Sequence, residues 1–313
     1  MTFTEKVKNE ILTSNINQPC CQVSALSAFI RGAGNLLVSN GNIGFELVTE
    51  NETSINFFAE IISTLYGKGL KIKKIEDKFT KKSKYFTSII DKNSTQILID
   101  LGIITESLDG AQINLGVDKY LVENDCCKKA YIKGAFLGSG SVTVPSEKVN
   151  SSTSYHLEFL FTKYQTASSV CEILSGLGFF PKLTERKDSF IVYFKNGDEI
   201  SDLLFFMGAK KACFELKEII VKKVMNNDTN RKRNCDMGNI NKQIEASIKQ
   251  VDNINLIIET IGLDKLPKTL QQACLLRLDN RESTLEEMSK ISGLSKSCLN
   301  HRFRKIAEIA KNL

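Results

Sequence analysis

Two stretches of the chain carry the same rhythm of small, apolar and polar positions. When "VSALSAFIRGAGNLLVS" (23–39) is placed over "KAYIKGAFLGSGSVTVP" (129–145), Ser24, Ala28, Gly32 and Gly34 fall on Ala130, Gly134, Gly138 and Gly140, an offset of 106. Small residues at i, i+4 and i+8 line one face of a helix. Such a stripe lets a second helix backbone approach closely, while Leu26, Phe29 and Ile30, or Ile132, Phe136 and Leu137, are left for a core. Downstream, "IGFELVTEN" (43–51) and "YHLEFLFTK" (155–163) alternate as strands, with Glu46 over Glu158. The helical "AEIISTLYG" and "CEILSGLGF" align at that same offset of 112, and "LKIKKI" and "PKLTER…SFIVYF" follow as strands. The longer loop "PSEKVNSSTS" accounts for the shift. The pattern predicts a duplicated α+β domain over 1–225, with repeats at about 20–85 and 128–210. A short amphipathic helix leads into it, and a helix and a turn lie between the copies.

Beyond residue 225 the pattern turns helical. The Asn-rich stretch 226–240, with Arg231, Lys232 and Arg233, is expected as a flexible connector. An all-α domain follows over 241–313. "QIEASIKQVDNINLIIETIGLDKLP" predicts a long helix ended by Gly262, and "PKTLQQACLLRLDN" a helix with Pro267 near its first turn. "STLEEMSKISGLSKSCLNHRFRKIAEIAKNL" carries helix-turn-helix punctuation: Ser283 or Thr284 as a cap with Glu286 and Glu287 reaching back, Ser289 and Gly293 four apart, Leu294 plugging the turn, and Ser295 capping the last helix. At 100° per residue, Leu299, Phe303, Ile306 and Ala310 form one buried stripe. Ser297, His301 and Arg304 lie opposite, flanked by Asn300 and Lys305, with Lys296 and Arg302 near the edges where phosphates would lie. Hydrogen-bonding side chains on the outer face of a second helix are what major-groove reading requires.

Charge and chemistry narrow the picture. The net charge is +6. The C-terminal basic excess falls wholly within 295–313, which hold five bases and one acid. Residues 68–84 hold eight lysines and two acids, which suits either a solvated face or a polyanionic partner. The glycines of "YIKGAFLGSGSV" (131–142) match neither phosphate loop: no lysine stands at the Walker position, and the third glycine of a dinucleotide loop is missing. Nine cysteines include the adjacent pairs Cys20-Cys21 and Cys126-Cys127 but no CxxC, and only two histidines occur. That usage suits reduced cytoplasmic thiols, with no metal site and no cofactor expected. No run is long and apolar enough to span a membrane, and the opening residues, with acids and no apolar core, are not expected to act as a secretory signal.

The duplicated helix, hairpin, helix, hairpin arrangement resembles the LAGLIDADG homing-endonuclease fold. The resemblance implies two motif helices packed at a pseudo-two-fold axis and paired sheets forming a saddle for DNA. In active members each motif helix brings an acid as its penultimate residue, and the two hold divalent metals, which stabilise the attacking and leaving oxygens. Here those positions are Ala33 and Ser139, so the scaffold is expected to be catalytically silent. Glu46 and Glu158 sit on strands, opposite the apolar neighbours, and do not replace them. Acids on the saddle argue for weak DNA binding there, and the 68–84 lysines argue the other way.

With the helix-turn-helix added, the chain resembles the WhiA family of DNA-binding sporulation and cell-division regulators. The resemblance covers nearly the whole length and is most specific in "YIKGAFLGSGSV", "NRKRNCDMGNINK" and "LSKSCLNHRFRKIAEIA". It implies a non-enzymatic regulator of promoters, active in cell division, chromosome segregation and, in sporulating hosts, sporulation, and acting on the nucleoid in the cytoplasm. Double-stranded DNA is the implied partner, with RNA polymerase or a sigma factor as candidate protein partners. The DNA-reading residues carried over are Lys296, Ser297, Asn300, His301, Arg302, Arg304 and Lys305. The low total charge points to moderate, salt-sensitive affinity. A protein-interaction factor that reads no specific DNA sequence is the competing expectation, and an active endonuclease the least favoured.

Overall fold

The computed structural model describes the chain apart from residues 15, 77–82, 108–109 and 146–153. The middle of the lysine-rich hairpin and most of the "PSEKVNSSTS" loop therefore lie outside the described residues. Two compact units emerge, Met1–Lys222 and Lys223–Leu313.

In the first unit, α1 (Phe3–Thr13) precedes a repeat of α2 (Pro19–Ala33), β1 (Gly34–Ser39), β2 (Asn42–Thr49), α3 (Glu52–Tyr66), β3 (Lys73–Glu76), β4 (Ser83–Ile89) and α4 (Ser94–Asp100). A small hairpin of β5 (Ile104–Ser107) and β6 (Gly110–Ile113) leads to the second copy. That copy comprises α5 (Asp125–Ser139), β7 (Gly140–Thr143), β8 (His156–Phe161), α6 (Tyr164–Gly176), β9 (Lys182–Arg186), β10 (Ser189–Phe194) and α7 (Gly197–Met207). The strand orders β1-β2-β4-β3 and β7-β8-β10-β9 are the same order twice, with every pairing antiparallel. The duplication read from the sequence is the fold. The segment between the copies holds more than the expected helix and turn, because residues 104–113 close into a hairpin of their own.

Alternation decides which face of each sheet is covered. Phe45 and Leu47 on β2, and Leu157 and Phe159 on β8, are buried, while Glu46 and Glu158 between them are half-exposed on the other face. Phe29 of α2 stacks on Phe58 of α3 with ring centroids 4.0 Å apart, and Phe136 of α5 meets Phe159 edge-on at 5.8 Å. Each central helix thus packs over its own repeat. The two central helices also meet each other through their small residues. A Cβ added to Gly134 would lie 2.1 Å from the carbonyl oxygen of Ala25, and one on Gly138 would lie 3.0 Å from that of Phe29. The glycines of "YIKGAFLGSGSV" serve helix packing, not a phosphate.

In the second unit, α8 (Lys210–Thr260), which begins within the first, overturns the expected connector: residues 226–240 are helical throughout. Asparagine lowers helix propensity only by tenths of a kcal/mol. With no proline and only Gly238 to interrupt it, the backbone ladder continues through a stretch whose side chains are almost all exposed. After Gly262, α9 (Lys268–Asp279), α10 (Leu285–Ser292) and α11 (Lys296–Lys311) complete the unit. Its core is Ile254, Ile257, Leu266, Leu270, Ala273, Cys274, Met288, Leu299, Phe303, Ile306 and Ala310.

Replacing Gly134 by alanine drives a methyl group into the Ala25 backbone, so thermal unfolding should report a loss of roughly 1–3 kcal/mol, the usual overpacking penalty. Gly176→Ala, a helical site with nothing within 4 Å, should be neutral or slightly stabilising. Equal melting temperatures for the two variants would show that the helices are not in close contact.

Candidate nucleic-acid interface

The C-terminal helices are set by local chemistry. Thr284 and Glu287 form a reciprocal cap: the Thr284 hydroxyl accepts from the Glu287 amide at 3.2 Å, and the Glu287 carboxylate accepts from the Thr284 amide at 2.7 Å. These hydrogen bonds hold the Glu287 carboxyl below its ordinary pKa. Gly293 ends α10 at φ 69°, in the left-handed region, and donates its N–H to the Ser289 carbonyl at 3.0 Å. Ser289 donates its hydroxyl to the Leu294 carbonyl, and Ser295 caps α11 by accepting from the Cys298 amide at 3.2 Å. Leu294 packs against the unit's core.

A residue that sequence reasoning passed over holds this arrangement together. Arg277 of α9 is only 2% exposed. Its Nη1 donates to the Ser283 carbonyl at 2.7 Å and to the Asn280 carbonyl and Ser247 hydroxyl at 3.3 Å each, and its guanidinium lies 5.3 Å from the Phe303 ring centroid. "LLRLDN" reads as an exposed basic position, so the only signal was its place between apolar neighbours on a short helix.

On α11, Leu299, Phe303, Ile306 and Ala310 are the buried residues. Lys296, Ser297, Asn300, His301, Arg304 and Lys305 are all exposed. Among the described residues, no ion pair or hydrogen bond ties up the side chains of Asn300, His301, Arg304 or Lys305. Arg302 is different: it is half-buried, and its Nη1 donates to the Thr269 carbonyl at 3.1 Å. α9 therefore holds that guanidinium on the flank of the helix.

The two positions where acids would be expected by resemblance end the central helices of the first unit. Ala33 closes α2, and Ser139 closes α5 with its hydroxyl donating to its own helix at the Ala135 carbonyl, 3.2 Å away. Glu158 on β8 accepts from the Ser141 hydroxyl at 3.2 Å and pairs with His156 at 2.9 Å. Among the described residues, three or more metal-ligating side chains converge at one place only, and it is at the opposite end of the helix pair. There Cys20 and Cys21 at the start of α2 meet Cys126 and Cys127 at the start of α5, all four sulfurs within 4.8 Å of one another. Burial pushes the Cys127 thiol up to about 11 and raises Cys21 as well, while a hydrogen bond from Cys127 lowers Cys20. The missing CxxC hid this cluster from the sequence. The signal was nonetheless present, since the two pairs are separated by the 106-residue offset of the repeat helices.

Three family models match the chain: the WhiA N-terminal LAGLIDADG-like domain over 19–104, the WhiA LAGLIDADG-like domain over 128–226, and the WhiA C-terminal HTH domain over 229–310. A probable cell division protein WhiA of Alkaliphilus oremlandii is 34% identical over 319 residues, covering 100% of this chain and 98% of the relative. The corresponding protein of Bacillus mycoides is 36% identical over 323 residues, covering 100% and 97%. Among solved structures, full-length WhiA from Thermatoga maritima is similar in fold, with a TM-score of 0.58 at 21% identity, covering 100% of this chain and 99% of that one. The N-terminal LAGLIDADG domain of WhiA matches with a TM-score of 0.52 at 18% identity, over 70% of this chain and 96% of the other.

The turn before α11 gives a direct test of its geometry. Gly293→Val forces a branched side chain into a left-handed backbone and should destabilise the second unit by about 1–2 kcal/mol, whereas Gly293→Asn should lose less, because asparagine tolerates that region. Chemical denaturation followed by circular dichroism ranks the two; a valine variant as stable as the parent would rule out the positive-φ turn.

Proposed function

The chain belongs to the WhiA family, and from that premise we propose that it is a sequence-specific DNA-binding transcription regulator of cell division that reads promoter DNA through α11 and does not cut it. The carrying observation is the division of α11 into a face sealed in the core and an opposite face offering Ser297, Asn300, His301, Arg304 and Lys305 to solvent. Amide, imidazole and guanidinium groups on one exposed helix face suit the donor and acceptor pattern of the major groove. Lys296 contacts a phosphate at the start of the helix, and Arg302, steadied by Thr269, does so at its flank. Cell division, chromosome segregation and, in sporulating hosts, sporulation are the processes such a regulator serves from the nucleoid. RNA polymerase or a sigma factor is the protein partner that promoter control calls for.

The non-catalytic half of the reading is supported by the residues that end α2 and α5. Alanine offers no ligand, and the Ser139 hydroxyl is turned to its own helix. A second reading, a protein-interaction factor, is favoured by one feature: Met237, Ile240, Ile244 and Ile248 are exposed along one face of α8.

Two outcomes are expected. Purified protein incubated with Mg²⁺ or Mn²⁺ should leave plasmid and genomic DNA intact, and metal-dependent cleavage that co-purifies with the chain would end the non-catalytic reading. Arg304→Ala should weaken binding to a preferred promoter by roughly 1–3 kcal/mol and relax specificity at one position. Lys296→Ala should weaken all sequences alike and lower the salt slope by about one. Titrating promoter and scrambled DNA at several salt concentrations separates the two effects. If neither variant loses affinity, α11 does not read DNA and the interaction reading takes its place.

A further inference from the structure

We propose that Cys20, Cys21, Cys126 and Cys127 form a tetrathiolate site for one zinc ion, which staples the N-terminal ends of α2 and α5 and so joins the two repeats. The four sulfurs already lie within 4.8 Å of one another. A tetrahedral zinc site with Zn–S bonds of about 2.3 Å has S···S edges of about 3.8 Å, and the Cys126 and Cys127 sulfurs are 3.9 Å apart. All four thiols are free. Two ligands come from each repeat at equivalent positions, so the ion would sit across the junction of the copies. Cys21 and Cys127 are buried while Cys20 and Cys126 are exposed, which leaves a solvent route for the metal to enter.

The surroundings suit a negatively charged centre. Binding Zn²⁺ displaces four thiol protons, leaving four thiolates around the ion and a net charge of −2. Neither α2 nor α5 has a side-chain cap at its start, so first-turn amides with no helical acceptor are free to donate to the thiolates. A cavity of about 340 Å³ beside the cluster is lined by Gln18, Cys21, Cys126, Lys129 and Lys133. Lys133 is only 5% exposed, and burial lowers its pKa to about 8. Among the described residues its ammonium donates a hydrogen bond to the Ser14 hydroxyl at 2.8 Å and pairs with no carboxylate. A dianionic zinc centre provides the buried lysine with its counter-charge. Soft thiolate ligands in tetrahedral array select zinc over the hard cations.

The test uses the full chain purified under reducing conditions without chelator. Elemental analysis should find about one zinc per chain. Replacement by Co²⁺ should give the visible bands of tetrahedral cobalt–thiolate, a readout that needs no variant. The double variant Cys20→Ser/Cys126→Ser alters only exposed positions and should lose the metal while keeping its circular dichroism spectrum. Cys235→Ser, an exposed cysteine elsewhere, should retain it. Stripping the metal should lower the melting temperature of the parent and leave the double variant unchanged. The proposal is overturned by a metal-free chain that takes up no cobalt, by equal zinc in the double variant, by iron in place of zinc, or by an intact mass showing the four thiols joined as disulfides.

Discussion

The carbonyl of Ala25 lies so close to Gly134 that no side chain fits between α2 and α5, and this contact sets the separation of the two repeats. Both sheets inherit their positions from it, because β1 and β7 begin at the residues that directly follow the two helices. The aromatic residues on the neighbouring helix faces then meet their own repeats, Phe29 on Phe58 and Phe136 on Phe159. Small residues on one stripe and large ones beside it are therefore two halves of one constraint: close packing between copies and a filled core within each.

That helix pair has two ends with different chemistry. At the C-terminal ends, where the resemblance read from the sequence would put a pair of acids, this chain has Ala33 and Ser139. At the N-terminal ends, about 22 Å away by the rise of a 15-residue helix, it gathers four sulfurs. A carboxylate pair suits hard cations that help break a phosphodiester, whereas a sulfur cluster suits a soft ion that holds protein together. Among the described residues, the metal-ligating side chains that converge do so at the N-terminal end of the pair.

Much of this was legible in the sequence because it is periodic. The duplication, the alternating strands around Glu46 and Glu158, the small-residue stripes and the helix-turn-helix punctuation at Thr284, Gly293 and Ser295 all repeat or cap at fixed spacings. What escaped was either non-local or a matter of context. The cysteine pairs are 106 residues apart and meet only through the packing of the helices that carry them. Arg277 looks like any surface arginine until the loop after α9 folds back over it. The 226–240 stretch has the composition of a loop, yet composition alone does not interrupt a backbone ladder that no proline breaks. Arg302 was placed at the edge of α11 by helix geometry, and only the neighbouring α9 explains why its guanidinium is partly engaged.

The burial of Arg277 reaches beyond the residues it touches. Its guanidinium binds the loop between α9 and α10 through the Asn280 and Ser283 carbonyls, touches α8 through Ser247, and lies against Phe303 of α11. Burial disfavours its charged form, so the charge is tolerated only while those acceptors surround it. If the loop alone peels away, the guanidinium loses the Asn280 and Ser283 carbonyls while α8 and Phe303 still cover it, and a buried charge short of partners is costly. Arg277 thereby couples the loop to the helices packed around it. Their amides should exchange with solvent as one cooperative block, and the surface that α11 presents is kept rigid by a charge that never reaches it.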